Sequence, residues 1–252
     1  MTPFPDTSVQ IDSHTLQGAT GVLTIDLDAL AANWRVLESR AVPAECSAVV
    51  KADAYGCGIM PVTRKLASIG CKTFFVATLD EAKLAREAAP KAAIYVLDGF
   101  FANCGDDFAK IDCRPVIGDL NELAEWDAFR RTRGWTGLAA LHIDTGMNRL
   151  GLTVDEARGL TPRIRQADHG IALVMSHLAC AEDMTNAMNG RQLAAFRSVA
   201  SEFSGVTASL TNSSGIFLGS HFHMDMVRPG AALYGVNPTP EADNPMQPVV
   251  GL

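Results

Sequence analysis

Short apolar runs recur along the chain, separated by stretches in which apolar residues return at helical spacing. The runs are CSAVVK from Cys46, FFVA from Phe74, IYVL from Ile94, RPVI from Arg114, LAALHID from Leu138, IALVMSH from Ile171, ASLTN from Ala208 and HMDMVRPG from His223. Each is short and apolar enough to be a strand covered on both faces. The intervening segments Leu79–Ala89, Leu120–Arg130 and Gln192–Phe203 predict amphipathic helices. Buried strands alternating with helices predict a parallel sheet, because parallel neighbours need a long crossover. Eight such units in a chain of 252 residues predict an α/β fold of the (β/α)8 TIM-barrel type. An open doubly wound sheet is the competing architecture, and the absence of a GxGxxG after the first strand weighs against its dinucleotide-binding form.

Ahead of the first barrel strand, GVLTIDLDALAANWRVLE reads as a strand and then a helix with Leu27, Leu30, Ala31, Trp34 and Leu37 on one face. The last eighteen residues hold four of the twelve prolines and then turn apolar at PVVGL. This divides the chain into an N-terminal tail over 1–20, a barrel over 21–235, and a linker over 236–252 that opens a truncated second domain.

Composition narrows the function. A formal net charge of -7 with scattered basic residues leaves no footprint for nucleic acid and makes a small molecule the expected partner. No basic-then-apolar leader and no run long enough to span a bilayer occur, so a cytoplasmic protein that does not enter membranes is expected. The six cysteines form no CxxC pair and no metal-like spacing, so reduced thiols and no metal site are expected. His221 and His223 read as strand residues.

Barrels of this type carry their chemistry at the C-terminal strand ends, with anion sites after strands seven and eight. Those positions hold Lys51 after the first strand, Arg149 after the fifth, His177 ending the sixth, Asn212 and Ser213 ending the seventh, and Arg228 with Gly230 after the eighth. A lysine at a strand end is either a snorkelling side chain with a solvated head or a nucleophile. Neighbouring cations such as Arg149 and Arg228 favour the second role by disfavouring the ammonium form. Such a lysine forms a Schiff base with an aldehyde. The hydroxyls of Tyr55 and Ser213 with the amides at Gly230 and Ala231 offer a phosphate cradle, and pyridoxal 5'-phosphate carries both an aldehyde and a phosphate.

The motifs AVVKADAYGCG, HIDTGMNRLG, SHLACAED, TNSSGIF and VRPGAALYG, in this order, resemble those of bacterial alanine racemases, fold-type III pyridoxal-phosphate enzymes. The resemblance covers roughly residues 20–252. It implies that Lys51 carries the cofactor and is one of two catalytic bases. Tyr55, Asn212, Ser213, Gly230 and Ala231 would hold the phosphate, and His177 would lie against the ring and bond Arg228, which faces the pyridine nitrogen. Arg149 would steady cofactor and substrate. The implied reaction is racemisation of a small amino acid, L-alanine to D-alanine for cell-wall synthesis, by a homodimer. Two departures stand out. His142 occupies a place where many family members carry a lysine that braces the arginine after it, and no tyrosine follows Tyr234 to act as the opposite-face base that the family supplies from a C-terminal β domain. Serine racemisation, a non-catalytic pyridoxal-phosphate-binding barrel and a cofactor-free Schiff-base aldolase are the alternatives.

Overall fold

Asp26 starts the first long helix of this computed structural model, which describes residues 20–252. Its carboxylate accepts from the amides of Asp28 and Ala29, both at 2.9 Å, and so caps α1 (Leu27–Ala41). The helix buries Leu30, Trp34, Leu37 and Ala41, one stripe at helical spacing, as the pattern predicts. Strand β1 (Thr24–Ile25) precedes it, and the expected tail lies outside the described residues except for Thr20.

The remaining strands are β2 (Glu45–Cys46), β3 (Ala48–Val49), β4 (Thr73–Val76), β5 (Ala93–Val96), β6 (Arg114–Ile117), β7 (Ala139–His142), β8 (Ile171–Met175), β9 (Thr207–Ser209), β10 (Met226–Val227) and β11 (Val250–Gly251). From β3 to β9 they form one parallel sheet in chain order. The eighth barrel strand, β10, pairs in parallel with β2, which runs on into β3. On its other side, Asp225 N donates to Ala208 O and Arg228 N to Thr211 O. Main-chain bonds on both flanks of β10 thus close the ring.

Successive residues of each strand face opposite sides. Phe75, Tyr95, Val116, Ala140, Leu173, Met175 and Met226 fill the barrel interior, whereas Phe74, Val76, Ile94, Ile117, Leu141 and Val174 join the outer core beneath the helices. Both faces are buried, which is why the strands read as unbroken apolar runs.

The outer helices include α2 (Lys51–Tyr55), α3 (Ile59–Ser68), α4 (Leu79–Ala88), α5 (Gly105–Ile111), α6 (Leu120–Arg133), α7 (Val154–Gly159) and α8 (Ala187–Ala200). The start of α8 and the placing of two histidines need correction. Helix α8 begins five residues before Gln192, because Asn186 caps it by accepting from Met188 N at 3.0 Å. No α-helix follows β9. The chain instead makes two short 3-10 turns, Ser214–Leu218 and Ser220–Phe222, separated by Gly219 at φ +115°, which halts helical winding. His221 therefore lies in a turn and His223 just after it, not on a strand.

The segment after residue 235 folds back on α1. Asn33, almost wholly buried, donates to Leu233 O and Gln247 O and accepts from Gln247 N at 2.7 Å, and Asp26 N donates to Val249 O. Strand β11 then pairs antiparallel with β1.

Candidate active site

Lys51 follows the fully buried Val50 at the end of β3 and opens an unusual turn. Ala52, Asp53, Ala54 and Tyr55 all have φ between 51° and 56°, so α2 winds left-handed through four consecutive non-glycine residues. Each such residue costs about 1–2 kcal/mol, and the surroundings must hold the turn in place. Asp53 N donates to Glu81 Oε1 at 3.1 Å, Asp53 Oδ1 accepts from Ile59 N at 2.7 Å, and Gly58 N donates to Asp53 O at 2.9 Å. Glu81 also closes the capping box of α4 with Thr78. The helix cap after β4 therefore braces the lysine turn after β3.

The turn brings Tyr55 to the loop after β10. A Cβ placed on Gly230 would lie 2.4 Å from Tyr55 Oη and 3.4 Å from Val49 Cβ, so only glycine permits this approach. Desolvation raises the Tyr55 pKa. Ser213, buried at the end of the β9 loop, accepts from Gly230 N at 3.0 Å and Ala232 N at 3.2 Å through Oγ. With its lone pairs engaged by two amides, the Ser213 hydroxyl hydrogen is left to donate outward. The expected cradle of Gly230 and Ala231 amides is thus modified, since Gly230 N is already held by Ser213. Asn212 is half-buried, and its Oδ1 accepts from Gly215 N at 3.0 Å, capping the turn that follows.

The opposite side of the rim is cationic. Arg228 is 4% exposed, and its guanidinium donates to Ser209 Oγ and to Ser176 O, each at 2.5 Å. It lies over Phe75, 5.8 Å from the ring centroid, at the top of the barrel interior. The expected bond between His177 and Arg228 is replaced by these two contacts, and the two side chains interact through charge. Arg149 is exposed, on a loop organised by Asp144, whose Oδ1 accepts from the amides of Gly146, Met147 and Asn148 at 2.9–3.1 Å. Gly151, at φ +120°, lets that loop press against Asp144 N, which a Cβ would approach to 2.7 Å.

Burial, then Arg228, then Arg149 hold His142 at a pKa of about 4 and His177 at about 3, with His142 and Lys51 acting further on His177. Both rings are neutral at neutral pH. In the unfolded chain each titrates near 6.5. Between about pH 4 and 6.5 the unfolded state therefore binds protons that the folded state does not, and stability falls as the pH drops through this window. Urea titrations from pH 7 to pH 4.5 are expected to show this loss, and a His142→Asn, His177→Asn double variant to remove most of it. An unchanged slope in that variant would show the rings to be solvated.

Reading the sequence locates Lys51, Tyr55, His177, Ser213, Arg228 and Gly230 on one rim, and the structure brings them together there. It misses Gln192, which is fully buried on α8. Gln192 Oε1 accepts from Ala179 N, while Nε2 donates to His177 O at 2.9 Å and Thr145 Oγ1 at 3.4 Å. A glutamine on the stripe formed by Leu193, Phe196 and Val199 is the signal that could have found it. Ser209, Glu81 and Tyr234 are likewise unread.

The sequence profile described as "Alanine racemase, N-terminal domain" matches residues 25–238. The chain belongs to this family. Within it, the alanine racemase of Methylobacterium sp. (strain 4-46) is 53% identical over 230 residues, covering 91% of this chain and 63% of that protein. The alanine racemase of Rhizobium meliloti (strain 1021) is 44% identical over 241 residues, 95% of this chain and 63% of that protein. The chain spans about 63% of the length of these curated relatives. Among solved structures, alanine racemase from Bartonella henselae with covalently bound pyridoxal phosphate has a TM-score of 0.85 at 38% identity, over 91% of this chain and 67% of that one.

Proposed function

We propose that this chain holds pyridoxal 5'-phosphate on Lys51 and forms the cofactor-bearing part of a racemase of small amino acids, alanine first among them. The observation that carries this reading is one lysine, two hydroxyls and a turn of main-chain amides on a single rim, facing a buried arginine that no carboxylate pairs among the described residues. The cleared space at Gly230 fits the group: the glycine admits Tyr55 Oη and leaves hydroxyl and amide donors together, a donor set suited to phosphate. We further propose that the whole protein is a cytoplasmic homodimer that makes D-alanine for peptidoglycan. The barrel reading covers 21–235, with 236–252 as the passage to a second domain.

When bound, the cofactor supplies an aldehyde for the lysine and a ring that takes up the electron pair left at the α-carbon. Tyr55 and Ser213 would hold the phosphate through their hydroxyls, with the Ala231 amide beside them and Asn212 fixing the turn beneath. Lys51 removes or returns a proton on one face of the α-carbon. Arg228 donates and does not accept, so a ring nitrogen facing it stays unprotonated. Arg149 balances the charge of the substrate carboxylate. His177 would lie against the ring. At pKa values of about 3 and about 4, His177 and His142 are weak proton acceptors; Lys51 is then the base for one face, and the family resemblance implies a tyrosine of a second subunit for the other.

The test has two stages. The chain mixed with the cofactor and reduced with borohydride is expected to gain one adduct, mapped by mass spectrometry to Lys51. Incubated with each alanine enantiomer in deuterated water, the chain by itself is expected to exchange the α-hydrogen of one enantiomer slowly and to interconvert neither. No adduct would overturn the cofactor reading. Rapid interconversion of both enantiomers would overturn the single-base argument and point to a second base within the barrel.

A further inference from the structure

Tyr234 lies beside this site but is not explained by it. It is 8% exposed in the turn Ala231–Tyr234 that follows the phosphate amides. Its ring stacks on Tyr55, with centroids 4.7 Å apart and planes inclined at 28°. Its hydroxyl donates to Val49 O at 3.1 Å, two residues before Lys51. Tyr234 thus touches the strand that ends in the lysine, the ring that ends the left-handed turn, and the turn that presents the amides.

Tyr55 needs such a partner. It retains 41% of its surface exposed and sits at the end of a strained turn that fixes its backbone but not its ring. On one side Gly230 clears room for its hydroxyl, and on another the Tyr234 ring covers its face. Tyr234 is itself held from behind, since Asn33 takes the carbonyl of the adjacent Leu233 at 3.1 Å and ties this turn to α1. A side chain so anchored limits the rotation of the ring stacked on it.

We infer that Tyr234 is a positioning residue that acts through Tyr55, its ring holding the Tyr55 hydroxyl at the phosphate subsite. The inference rests on the cofactor reading above and deepens it. A positioning role predicts an effect on the phosphate end of the ligand alone. The experiment compares pyridoxal 5'-phosphate with pyridoxal, which has the same aldehyde and no phosphate, by borohydride trapping at Lys51 over a range of concentrations.

The unsubstituted chain is expected to favour the phosphorylated form strongly. Tyr234→Leu is expected to weaken half-saturation by the phosphorylated form about three- to tenfold, the scale of a lost aromatic pair, and to leave pyridoxal unchanged. Tyr234→Phe, which keeps the ring and loses the bond to Val49 O, is expected to retain the preference. In a Tyr55→Leu background, Tyr234→Leu is expected to add nothing further, since a residue acting through another is non-additive with it. Equal weakening of both ligands by Tyr234→Leu, or loss of the preference in Tyr234→Phe, would overturn the inference. Should Tyr234→Leu fail to fold, Tyr234→Met, which fills the space without a ring, takes its place with the same expected loss and the same overturning outcome. Trapping of neither ligand by the unsubstituted chain would overturn the cofactor reading, whereas a phosphate preference undiminished in Tyr234→Leu overturns only the role of Tyr234.

Discussion

Lys51→Ala is expected to abolish covalent capture of pyridoxal 5'-phosphate while leaving the barrel folded. The bonds that hold the left-handed turn are made by Asp53, Glu81, Ile59, Gly58 and the carbonyls of Val50 and Ala52, and the lysine ammonium takes part in none of them. Lys51 is half-buried, so truncation should cost about 1 kcal/mol or less, mostly from the lost packing of its stem. The amine, in contrast, is irreplaceable for the covalent bond. The Tyr55, Ser213 and Ala231 donors remain, so non-covalent, phosphate-dependent binding of the cofactor should persist. Mass spectrometry after borohydride reduction reads the first effect and thermal melting the second. A reducible adduct in the variant would remove Lys51 from its assigned role. A collapsed fold would show that the lysine stem packs as part of the core.

Arg228→Glu is expected to have the next largest effect. The guanidinium is 4% exposed, bonded to a hydroxyl and a carbonyl, and burial lowers its pKa to about 9, so it remains charged at neutral pH. A glutamate would turn a carboxylate oxygen toward the Ser176 carbonyl, acceptor against acceptor, in a nearly dry position. Loss of these contacts and a buried, unsatisfied group should cost about 1–3 kcal/mol or more. The electrostatic consequence runs in the opposite direction for the histidines. Arg228 is the largest charge holding His142 and His177 down, so its reversal should raise both toward the ordinary imidazole range. For a bound cofactor, a carboxylate at this position can share a proton with the ring nitrogen, which arginine does not allow. The absorbance of the holo-chain should shift, and racemisation by the full-length enzyme should slow by orders of magnitude. Histidine resonances that titrate as before, together with an unchanged spectrum, would remove Arg228 from the site. Arg228→Lys keeps the charge and loses the fork, so it should leave the histidines low while weakening the hold on Ser176.

The matched stretch is about 63% of each of these curated relatives, and a reaction that takes a proton from one face of a carbon and returns it to the other draws on groups that approach from two sides. The barrel's histidines are kept weakly basic by burial first and then by Arg228 and Arg149.

The barrel was legible because its strands are buried on both faces: FFV, IYV and LVM alternate between the interior and the helix layer without needing a polar position. The motif residues were legible because strand ends are read from where apolar runs stop. Helix boundaries were less so. Asn186 starts α8 five residues before the stretch that the apolar spacing predicts, and after β9 the chain makes two 3-10 turns separated by Gly219, which no apolar spacing marked.

By itself, the sequence determined the strand count, the rim positions of Lys51, His177, Ser213 and Arg228, and the family. These follow from local periodicity and from the order of short motifs, which survive without knowledge of any long-range contact. Tertiary structure alone decided the rest: that Arg228 bonds Ser209 and Ser176 rather than His177, that Glu81 braces a left-handed turn 28 residues away, that Gln192 reaches from the outer layer to His177, and that Tyr234 stacks on Tyr55. Each of these is a contact between residues far apart in sequence. Its partner is chosen by which chain segments the closed ring brings side by side, and by which donors burial leaves to be satisfied there, and no local pattern encodes that choice.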